Sequence, residues 1–276
     1  VDAGNNTGDM VFGVDDATNS DVDLVEERMR ITRTGNVGIA KTNPNHKLEI
    51  LNGSDTTNIL LLMGADTNTE YAAMGVSGGN AVITGGGGAL GSCIAQSLSE
   101  SGVKIAILDL TEESAQKTID LIESNGGEGI GFASNVLSKD SIEKISQEII
   151  AKWGRVDILL NAAGGNMQGA TIAVDQTIFD LSIDDFKKVT ELNLNGSVIP
   201  SLVFGEIMAQ QKSGSIINYS SMSVDRVITR VVGYSASKAG IENFTRWMAV
   251  EMALKFGSGV RVNAIAPGFF VGNQNR

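Results

Sequence analysis

The chain has 276 residues, 42% of them hydrophobic, which is enough for one large domain or two smaller ones. Its net charge of −11 argues against nucleic acid or an anionic membrane surface as a partner, because both attract clustered Lys and Arg. The single cysteine, Cys93, excludes an internal disulfide and predicts a reducing, cytoplasmic location. The sequence predicts no membrane span, no secretory signal and no metal site.

The first 80 residues lack helical periodicity and are more acidic per length than the rest of the chain. Short β-like runs, separated by clusters of Asn, Asp, Gly and Thr, occur at 10–14, 28–32, 47–51 and 59–63. Short strands need neighbours to satisfy their backbones. We therefore expect residues 1–79 to form a small β-rich or irregular segment that is either flexible or dependent on an oligomer.

The rest of the chain alternates between strand and helix patterns. Strands are predicted at 81–84, 104–108, 129–133, 156–161, 215–219 and 260–264. Helices are predicted at 89–101, 112–124, 139–153, within 183–211 and at 234–256. This alternation predicts βαβ units, a parallel sheet and right-handed crossovers. The expected fold class is α/β, with a doubly wound parallel-sheet Rossmann domain.

A glycine-rich turn follows the first of these strands and opens the first helix. Glycines there allow a tight turn and a close approach of the backbone to a pyrophosphate, which binds the amides of the helix N-terminus. A glycine-rich run alone is weak evidence for a nucleotide site, since such runs are also typical of linkers. Here the strand before the run and the helix after it give the context that a nucleotide site requires. The candidate cofactor-binding residues are Gly85, Gly87, Gly88, Ala89, Leu90 and Gly91.

Asp109 ends the second strand of this alternating pattern. A carboxylate at that place can accept hydrogen bonds from an adenosine ribose and would repel a 2′-phosphate. The sequence therefore favours NAD over NADP as the cofactor. The alternative is an acidic residue that merely lies beside the helix cap at Thr111.

Tyr234 and Lys238 are one helical turn apart and share a face. A tyrosine hydroxyl, with a pKa of about 10, is a poor base near neutrality, but an adjacent ammonium favours the phenolate. Ser221 follows a strand and can donate a hydrogen bond to a substrate oxygen. A Tyr and a Lys at this spacing are usually surface residues. Combined with the glycine turn and Ser221, they predict an acid/base site.

Together with Asn161-Ala162-Ala163-Gly164, Asn193 and Pro267-Gly268, these motifs make residues 80–276 resemble the short-chain dehydrogenase/reductase family. The resemblance implies a homo-oligomeric enzyme that transfers a hydride between NAD(H) and a secondary alcohol or ketone. It implies that Tyr234 is the general acid/base, that Ser221 polarises the reacting oxygen and that Lys238 also binds the nicotinamide ribose. Asn193 would hold a water in a proton relay.

The same resemblance implies cofactor contacts at the ends of later strands. Asn161 would line the adenine side of the cleft, and Pro267 and Gly268 would lie against the nicotinamide. Asn135 departs from the family pattern, in which Asp usually meets the adenine. The implied contacts are Asn135, Val136, Asn161, Ala162, Ala163, Gly164, Tyr234, Lys238, Pro267 and Gly268.

Within the family, the segments 165–171, 218–223 and 267–270 with 274–276 resemble the mannonate oxidoreductase (fructuronate reductase) branch. This implies a small-molecule sugar-acid substrate of the D-mannonate/D-fructuronate type. Asn166 and Ser221 would contact it, and Arg226 or Arg230 would hold its carboxylate. The alternative for either arginine is a solvated loop charge.

Residues 10–83 resemble a segment of phage tail-fibre and tail-spike proteins, which implies a β-rich shaft without chemistry. The expected domains are therefore 1–79, tail-fibre-like, and 80–276, NAD-binding. The second is expected to be incomplete at its C-terminus, because the family continues beyond Pro267-Gly268 for another helix and strand. A virion structural protein and an inactive chimeric fragment joined near residue 80 remain the alternatives.

Overall fold

The structure, a computed structural model, describes residues 78–268 in full and, before them, the backbone of six short strands. The chain divides into two compact units, Val1–Ser77 and Gly78–Arg276. The strands of the first unit are β1 (Met10–Val14), β2 (Glu26–Ile31), β3 (Val37–Ile39), β4 (Leu48–Ile50), β5 (Leu61–Gly64) and β6 (Tyr71–Met74). They form a four-stranded sheet, β1-β2-β3-β4, and the separate hairpin β5-β6.

The strand predicted at 10–14 is confirmed, whereas β3 and β6 were not predicted as strands. The tail-fibre resemblance of 10–83 rests mainly on side chains that lie outside the described residues. It therefore stays a prediction, as does the domain boundary after residue 79.

The second unit alternates strand and helix throughout its described length. Its elements are β7 (Asn80–Thr84), α1 (Ala89–Glu100), β8 (Lys104–Asp109), α2 (Glu112–Ser124), β9 (Gly129–Ala133), α3 (Lys139–Trp153), β10 (Ile158–Asn161), α4 (Ile183–Thr190), α5 (Gly196–Gln211), β11 (Gly214–Tyr219), α6 (Val232–Phe256) and β12 (Val260–Ile265). The six strands are all parallel and lie in the order β12-β11-β10-β7-β8-β9. The predicted doubly wound sheet is confirmed.

The strand order places a crevice at one edge of this sheet. From β7 the chain moves outward to β8 and β9, then crosses back to β10 and continues in the opposite direction. In such sheets, ligands bind outside the carboxyl ends of the strands where the direction reverses. The carboxyl ends of β7 and β10 are therefore the expected centre of a binding site.

Helices cover both faces of the sheet, as the apolar character of its strands predicts. One face packs against α1 and α2, and the other against α3, α5 and α6. Phe204 on α5 is the largest fully buried side chain of the second face. Among the described residues, no helix is both long and apolar enough to cross a membrane.

The helix predicted within 183–211 is not uniform. Between α4 and α5 lies a wider π-helical turn, Glu191–Asn195. π turns inside helices are rare and occur frequently at functional sites. The apolar periodicity that predicts a helix does not reveal this change, because it depends on which carbonyl each amide meets.

Strand β10 begins later than predicted because of one glutamine. The backbone amide of Val156 donates to Oε1 of Gln211 at 3.0 Å, and the amide of Gln211 donates to the Val156 carbonyl at 2.7 Å. Since a side chain from α5 uses both backbone groups, Val156 does not join the strand ladder.

A buried polar network ties the central strands to the helices behind them. Nδ2 of Asn161 donates to Oγ of Ser201 and to Oδ1 of Asn218, both at 2.8 Å. Asn218 in turn donates to Oγ1 of Thr245 at 2.9 Å. The chain of bonds therefore links β10, α5, β11 and α6. Because these groups are buried, each bond that is lost leaves a polar atom without water to replace it.

Asn161→Ala should destabilise the second unit by about 1–3 kcal/mol, because it leaves Oδ1 of the buried Asn218 without its partner. The measurement is urea unfolding followed by tryptophan fluorescence, since both tryptophans, Trp153 and Trp247, lie in this unit. The matched control is Asn166→Ala, an exposed asparagine, which should change the unfolding free energy by less than about 0.5 kcal/mol. Equal effects of the two substitutions would contradict a supporting role for the network.

Candidate active site

The glycine turn after β7 packs directly against the loop after β10. Gly85 has φ of +63°, and a Cβ on it would lie 2.7 Å from the Cα of Ala163. No side chain fits that contact, and left-handed backbone favours glycine. On the other side of the turn, the Gly85 amide donates to the Leu108 carbonyl at 2.8 Å. The turn therefore lies at the carboxyl ends of β7, β8 and β10, where the crevice is expected.

The start of α1 is suited to an anion. Its N-cap is Gly88, which provides no side-chain hydrogen bond, and its first turn contains no acidic residue. The starts of α2, α3 and α4 are instead capped by the side chains of Thr111, Ser138 and Ser182. Backbone amides at an uncapped helix start favour negative charge through hydrogen bonding and the helix dipole. The glycine turn thus fits the pyrophosphate of a dinucleotide.

Asp109 lies against this turn, as predicted. Its Oδ2 accepts a hydrogen bond from the Gly87 amide at 2.9 Å, and its Oδ1 accepts one from the Leu110 amide at 2.8 Å. These bonds fix the carboxylate at the end of β8, beside the turn. The position of Asp109 is compatible with the predicted contact to a ribose. Asp109 does not cap helix α2, because Thr111 has that role.

The other predicted cofactor residues lie at the ends of β9 and β10, but their side chains differ in exposure. Asn135 is exposed and its Oδ1 accepts from the Leu137 amide at 3.0 Å, whereas Val136 is buried. Asn161 is only 1% exposed, so its side chain does not line the cleft as expected. Its side chain instead points into the protein interior, where its amide donates to Ser201 and Asn218.

Ala162, Ala163 and Gly164 follow Asn161 toward the crevice. The Ala163 amide donates to Oγ1 of the buried Thr84 at 3.2 Å, which connects this loop to the end of β7. Together with the contact at Gly85, this bond fixes the distance between the two loops that border the crevice.

Lys238 is buried at the centre of the predicted acid/base site. Its Nζ donates to the Tyr219 carbonyl at 2.7 Å and lies 5.4 Å from the centroid of the Tyr234 ring, a distance at which the cation attracts the aromatic face. Burial lowers the pKa of Lys238 to about 8. The predicted pairing of Lys238 with Tyr234 on one face of α6 is therefore observed.

Asn193 and Lys238 converge on one glycine. A Cβ on Gly164 would lie 2.6 Å from Oδ1 of Asn193 and 3.6 Å from Nζ of Lys238. Gly164 must therefore be glycine for Asn193 to approach, whereas the distance to Lys238 is an ordinary van der Waals contact. Asn193 is fully buried, and its amide binds both the N–H and the carbonyl of Gly165, at 3.0 and 2.7 Å. A third bond, to the Val189 carbonyl at 2.8 Å, uses the remaining donor.

Ser221 follows β11 and is held from two sides. Its Oγ accepts a hydrogen bond from the Ser223 amide at 3.2 Å, so the hydroxyl proton remains available to donate. The Met222 amide donates to the Pro267 carbonyl at 3.1 Å. Pro267 and Gly268 thus lie beside the Ser221 loop, at the same edge of the sheet as the glycine turn.

One further residue of this site was not predicted. Glu242 lies one turn beyond Lys238 on α6, and its Oε1 accepts a hydrogen bond from Oγ of Ser220 at 2.7 Å. Its Oε2 accepts from Arg246 at 3.1 Å. Glu242 therefore holds the residue next to Ser221. The sequence signal that could have identified Glu242 is its spacing. Tyr234, Lys238 and Glu242 are four residues apart, which puts all three on one face of the helix.

Among the predicted substrate residues, the structure separates the two arginines. Both arginines are exposed, but Arg226 is not among the residues that line the cavity beside the start of α6. Arg230 lines a cavity of about 390 Å³ between the loop after β10 and the start of α6. Asn166 lies in that loop, where its Nδ2 donates to Oγ1 of Thr171 at 2.6 Å.

Comparisons with known proteins agree with this geometry. Residues 79–275 match the family model for short chain dehydrogenases. The uncharacterized oxidoreductase UxuB of Bacillus subtilis is 42% identical over 208 residues, which cover 72% of this chain and 74% of that protein. The family match begins at residue 79, so the tail-fibre resemblance of the preceding residues gains no support from it.

Solved structures of oxidoreductases are also similar to this chain. A crystal structure assigned to a D-mannonate oxidoreductase from Haemophilus influenza, with bound NAD, is 40% identical, with a TM-score of 0.66 and coverage of 71% of this chain and 73% of that chain. An NAD⁺-bound xylitol dehydrogenase is 30% identical, with a TM-score of 0.63 and coverage of 69% and 70%.

The lowered pKa of Lys238 predicts a rise in stability with pH. In the unfolded chain the ammonium keeps its proton up to about pH 10.5, whereas in the folded chain it loses it near pH 8. Between these values the unfolded state binds more protons, so the free energy of unfolding should rise with pH, by at most about 3 kcal/mol.

Urea unfolding of the full chain between pH 7 and 10.5 measures this rise. Lys238→Met should lack it, and Lys117→Met, which removes an exposed lysine, should keep it. Parallel pH profiles for the wild type and Lys238→Met would contradict the effect of burial.

Proposed function

The chain belongs to the short chain dehydrogenase family, and we propose that it is an NAD-dependent oxidoreductase acting on a secondary alcohol or the corresponding ketone. The observation that carries the proposal is the contact of buried Lys238 with Tyr234, at the end of the strand that leads to Ser221 and at the same sheet edge as the uncapped start of α1. That arrangement combines a proton-transfer group with a dinucleotide cleft. The NAD-bound D-mannonate oxidoreductase and xylitol dehydrogenase structures support NAD as the cofactor.

NAD, when bound, accepts or supplies a hydride at its nicotinamide ring. The amides of the first turn of α1, Ala89 to Gly91, would hold its pyrophosphate, and Asp109 would accept hydrogen bonds from the adenosine ribose. Pro267 and Gly268, beside the Ser221 loop, would lie at the nicotinamide end.

Tyr234 is the proposed general acid/base. Its hydroxyl takes the proton of the substrate alcohol during oxidation and returns it during reduction. The ammonium of Lys238 stabilises the phenolate that this transfer produces, and it does so strongly because it is buried. Ser221 donates its hydroxyl proton to the reacting oxygen, since its own Oγ is already an acceptor from Ser223.

Asn193 has a supporting part in this proposal. Because its side chain binds Gly165 through both backbone groups, it holds the loop that begins at Gly164, beside Lys238. A water held by Asn193 in a proton relay remains part of the proposal.

The proposed substrate is a small polyhydroxylated molecule, and specifically a sugar acid of the D-mannonate/D-fructuronate type. The support is the 40% identity to the D-mannonate oxidoreductase structure, beside the more distant xylitol dehydrogenase. Both names denote molecules with several hydroxyl groups. The polar residues along the cavity at Arg230 suit such a substrate.

We also keep a cytoplasmic homo-oligomer as part of the proposal. Trp247, Val250 and Leu254 lie at helical spacing on α6 and are 63%, 59% and 76% exposed, and Leu202 on the neighbouring α5 is 53% exposed. A helix face with several exposed large apolar side chains is typical of a surface that another chain covers.

The chain should bind NADH at least tenfold more tightly than NADPH. Asp109 would repel a 2′-phosphate, and neither the turn from Gly85 to Gly91 nor the residues next to Asp109 include a Lys or Arg to offset the repulsion. Fluorescence titration with both cofactors measures the difference. Asp109→Asn, which removes the charge and keeps the shape, should narrow it. Equal or tighter binding of NADPH by the wild type would refute the preference.

Tyr234→Phe should leave NADH binding nearly unchanged and lower kcat about a hundredfold or more, because it removes the group that exchanges the proton. The matched control is Tyr219→Phe. The Tyr219 hydroxyl is buried without a hydrogen-bond partner among the described residues, and only its backbone carbonyl binds Lys238. Steady-state kinetics should therefore show little change for the control. Substantial activity of Tyr234→Phe would disprove the proposed role.

A further inference from the structure

The cavity beside the start of α6 contains one cation and one anion among the residues that line it. Its volume of about 390 Å³ falls within the roughly 300–1,000 Å³ of small-molecule sites. Its walls come from the loop after β10, with its short 3₁₀ turns, and from the segment before α6. The polar side chains that line it are Gln168, Thr171, Gln176, Asp180, Ser182 and Arg230.

The position of Arg230 is fixed by two hydrogen bonds to one residue. The Ile172 amide donates to the Arg230 carbonyl at 3.0 Å, and Nε of Arg230 donates to the Ile172 carbonyl at 2.5 Å. Arg230 also has φ of +76°, which is uncommon for a residue other than glycine. Lys212, the other such residue in the described part of the chain, ends helix α5, where this conformation is ordinary. Arg230 instead keeps it in a loop, at a cavity wall.

The outer end of the Arg230 guanidinium has no partner in the described part of the chain. Its Nε bond to Ile172 orients the planar group, and none of the ion pairs within residues 78–268 includes it. A guanidinium held in this way presents two parallel N–H donors, the geometry that matches a carboxylate.

The acidic side chains near the cavity are already bound. Oδ2 of Asp180 accepts from the amide and the hydroxyl of Thr177, at 2.8 and 3.0 Å. Asp185, which lies against Gly169 from α4, pairs with Lys188 at 3.1 Å. The remaining oxygen of Asp180 can accept a hydrogen bond from a ligand hydroxyl. The cavity therefore combines a site for one negative charge with acceptors and donors for hydroxyl groups.

The segments that line the cavity continue to the acid/base residues. The loop that lines the cavity begins at Gly164, beside Lys238, and reaches Thr171 within a few residues. On the other wall, Arg230 precedes Tyr234 by four residues, so their Cα atoms are at most about 14 Å apart. Gly233 packs against Phe186 of α4, which keeps the start of α6 close to the cavity. One molecule of sugar size can therefore meet both Arg230 and Tyr234.

We propose that Arg230 binds the carboxylate of a polyhydroxylated acid whose reacting hydroxyl lies at Tyr234 and Ser221, and that this contact selects acids over neutral polyols. This inference rests on the proposed oxidoreductase function and adds the residue that determines its substrate class. A site that binds a charged group discriminates against an analogue that lacks the group, because the analogue cannot form the paired, charge-assisted hydrogen bonds to the guanidinium. Arg226 is not among the residues that line this cavity and is expected to have no part in this selection.

The test compares aldonates with the alditols in which a hydroxymethyl group replaces the carboxylate. For the full wild-type chain, kcat/KM with NAD should favour the acid of each pair. Arg230→Gln should lower the ratio of kcat/KM for acid over alditol at least tenfold, mainly through KM. Arg230→Lys should lower it less, because it keeps the charge without the paired donors. Arg226→Gln, the matched control, should leave the ratio within about twofold.

Calorimetric titration of the aldonate into the NADH-saturated chain gives a readout that does not depend on turnover. Arg230→Gln should weaken this binding at least tenfold while NADH binding stays the same, which separates a lost contact from a folding defect. The inference fails if the wild type does not prefer acids, if Arg230→Gln affects both members of a pair equally, or if Arg226→Gln has the same effect. A wild-type chain that binds no NADH would instead overturn the proposed function, and this inference with it.

Discussion

The burial of one ammonium group organises the candidate site. Lys238 is 4% exposed, and a buried charge is costly unless polar groups surround it. The Tyr219 carbonyl and the face of Tyr234 supply that surrounding. Because Tyr219 lies two residues before Ser221, the bond that compensates the charge also sets the distance between α6 and the Ser221 loop. The lowered pKa of Lys238 indicates that the compensation is incomplete, so part of the cost of burial remains in the folded chain.

The parallel sheet brings the remaining parts of the site to the same place. Since all six strands run in one direction, their carboxyl ends share an edge, and every loop that follows a strand opens there. The close contact of Gly85 with Ala163 and the bond from Ala163 to Thr84 fix the two loops at the centre of that edge. Behind them, the network of Asn161 with Asn218 holds the two strands in register. The site thus depends on buried groups that no ligand would touch.

Two structural features connect the loop after β10, which lines the cavity, to the acid/base residues. The π-helical turn places Asn193 where it can bind Gly165, so the loop after β10 is fixed at its beginning. The paired bonds between Ile172 and Arg230 fix the same loop farther along and attach it to the start of α6. The loop is therefore held at both ends of the segment that would face a substrate. In the proposed function, a wall held in this way would let one charged contact decide which substrate is accepted.

The sequence alone determined the features that depend on short spacing. Strand and helix alternation predicted the parallel sheet, the glycine turn between strand and helix predicted the dinucleotide cleft, and a four-residue interval put Tyr234 and Lys238 on one face of α6. Tertiary structure decided what the distant side chains do. Asn161 turns inward to Asn218, 57 residues away, Glu242 reaches Ser220, and Ile172 holds Arg230, 58 residues away, which separates it from Arg226. Local periodicity reports which face of an element a residue occupies, but a hydrogen bond between distant residues exists only once packing has brought its two atoms together.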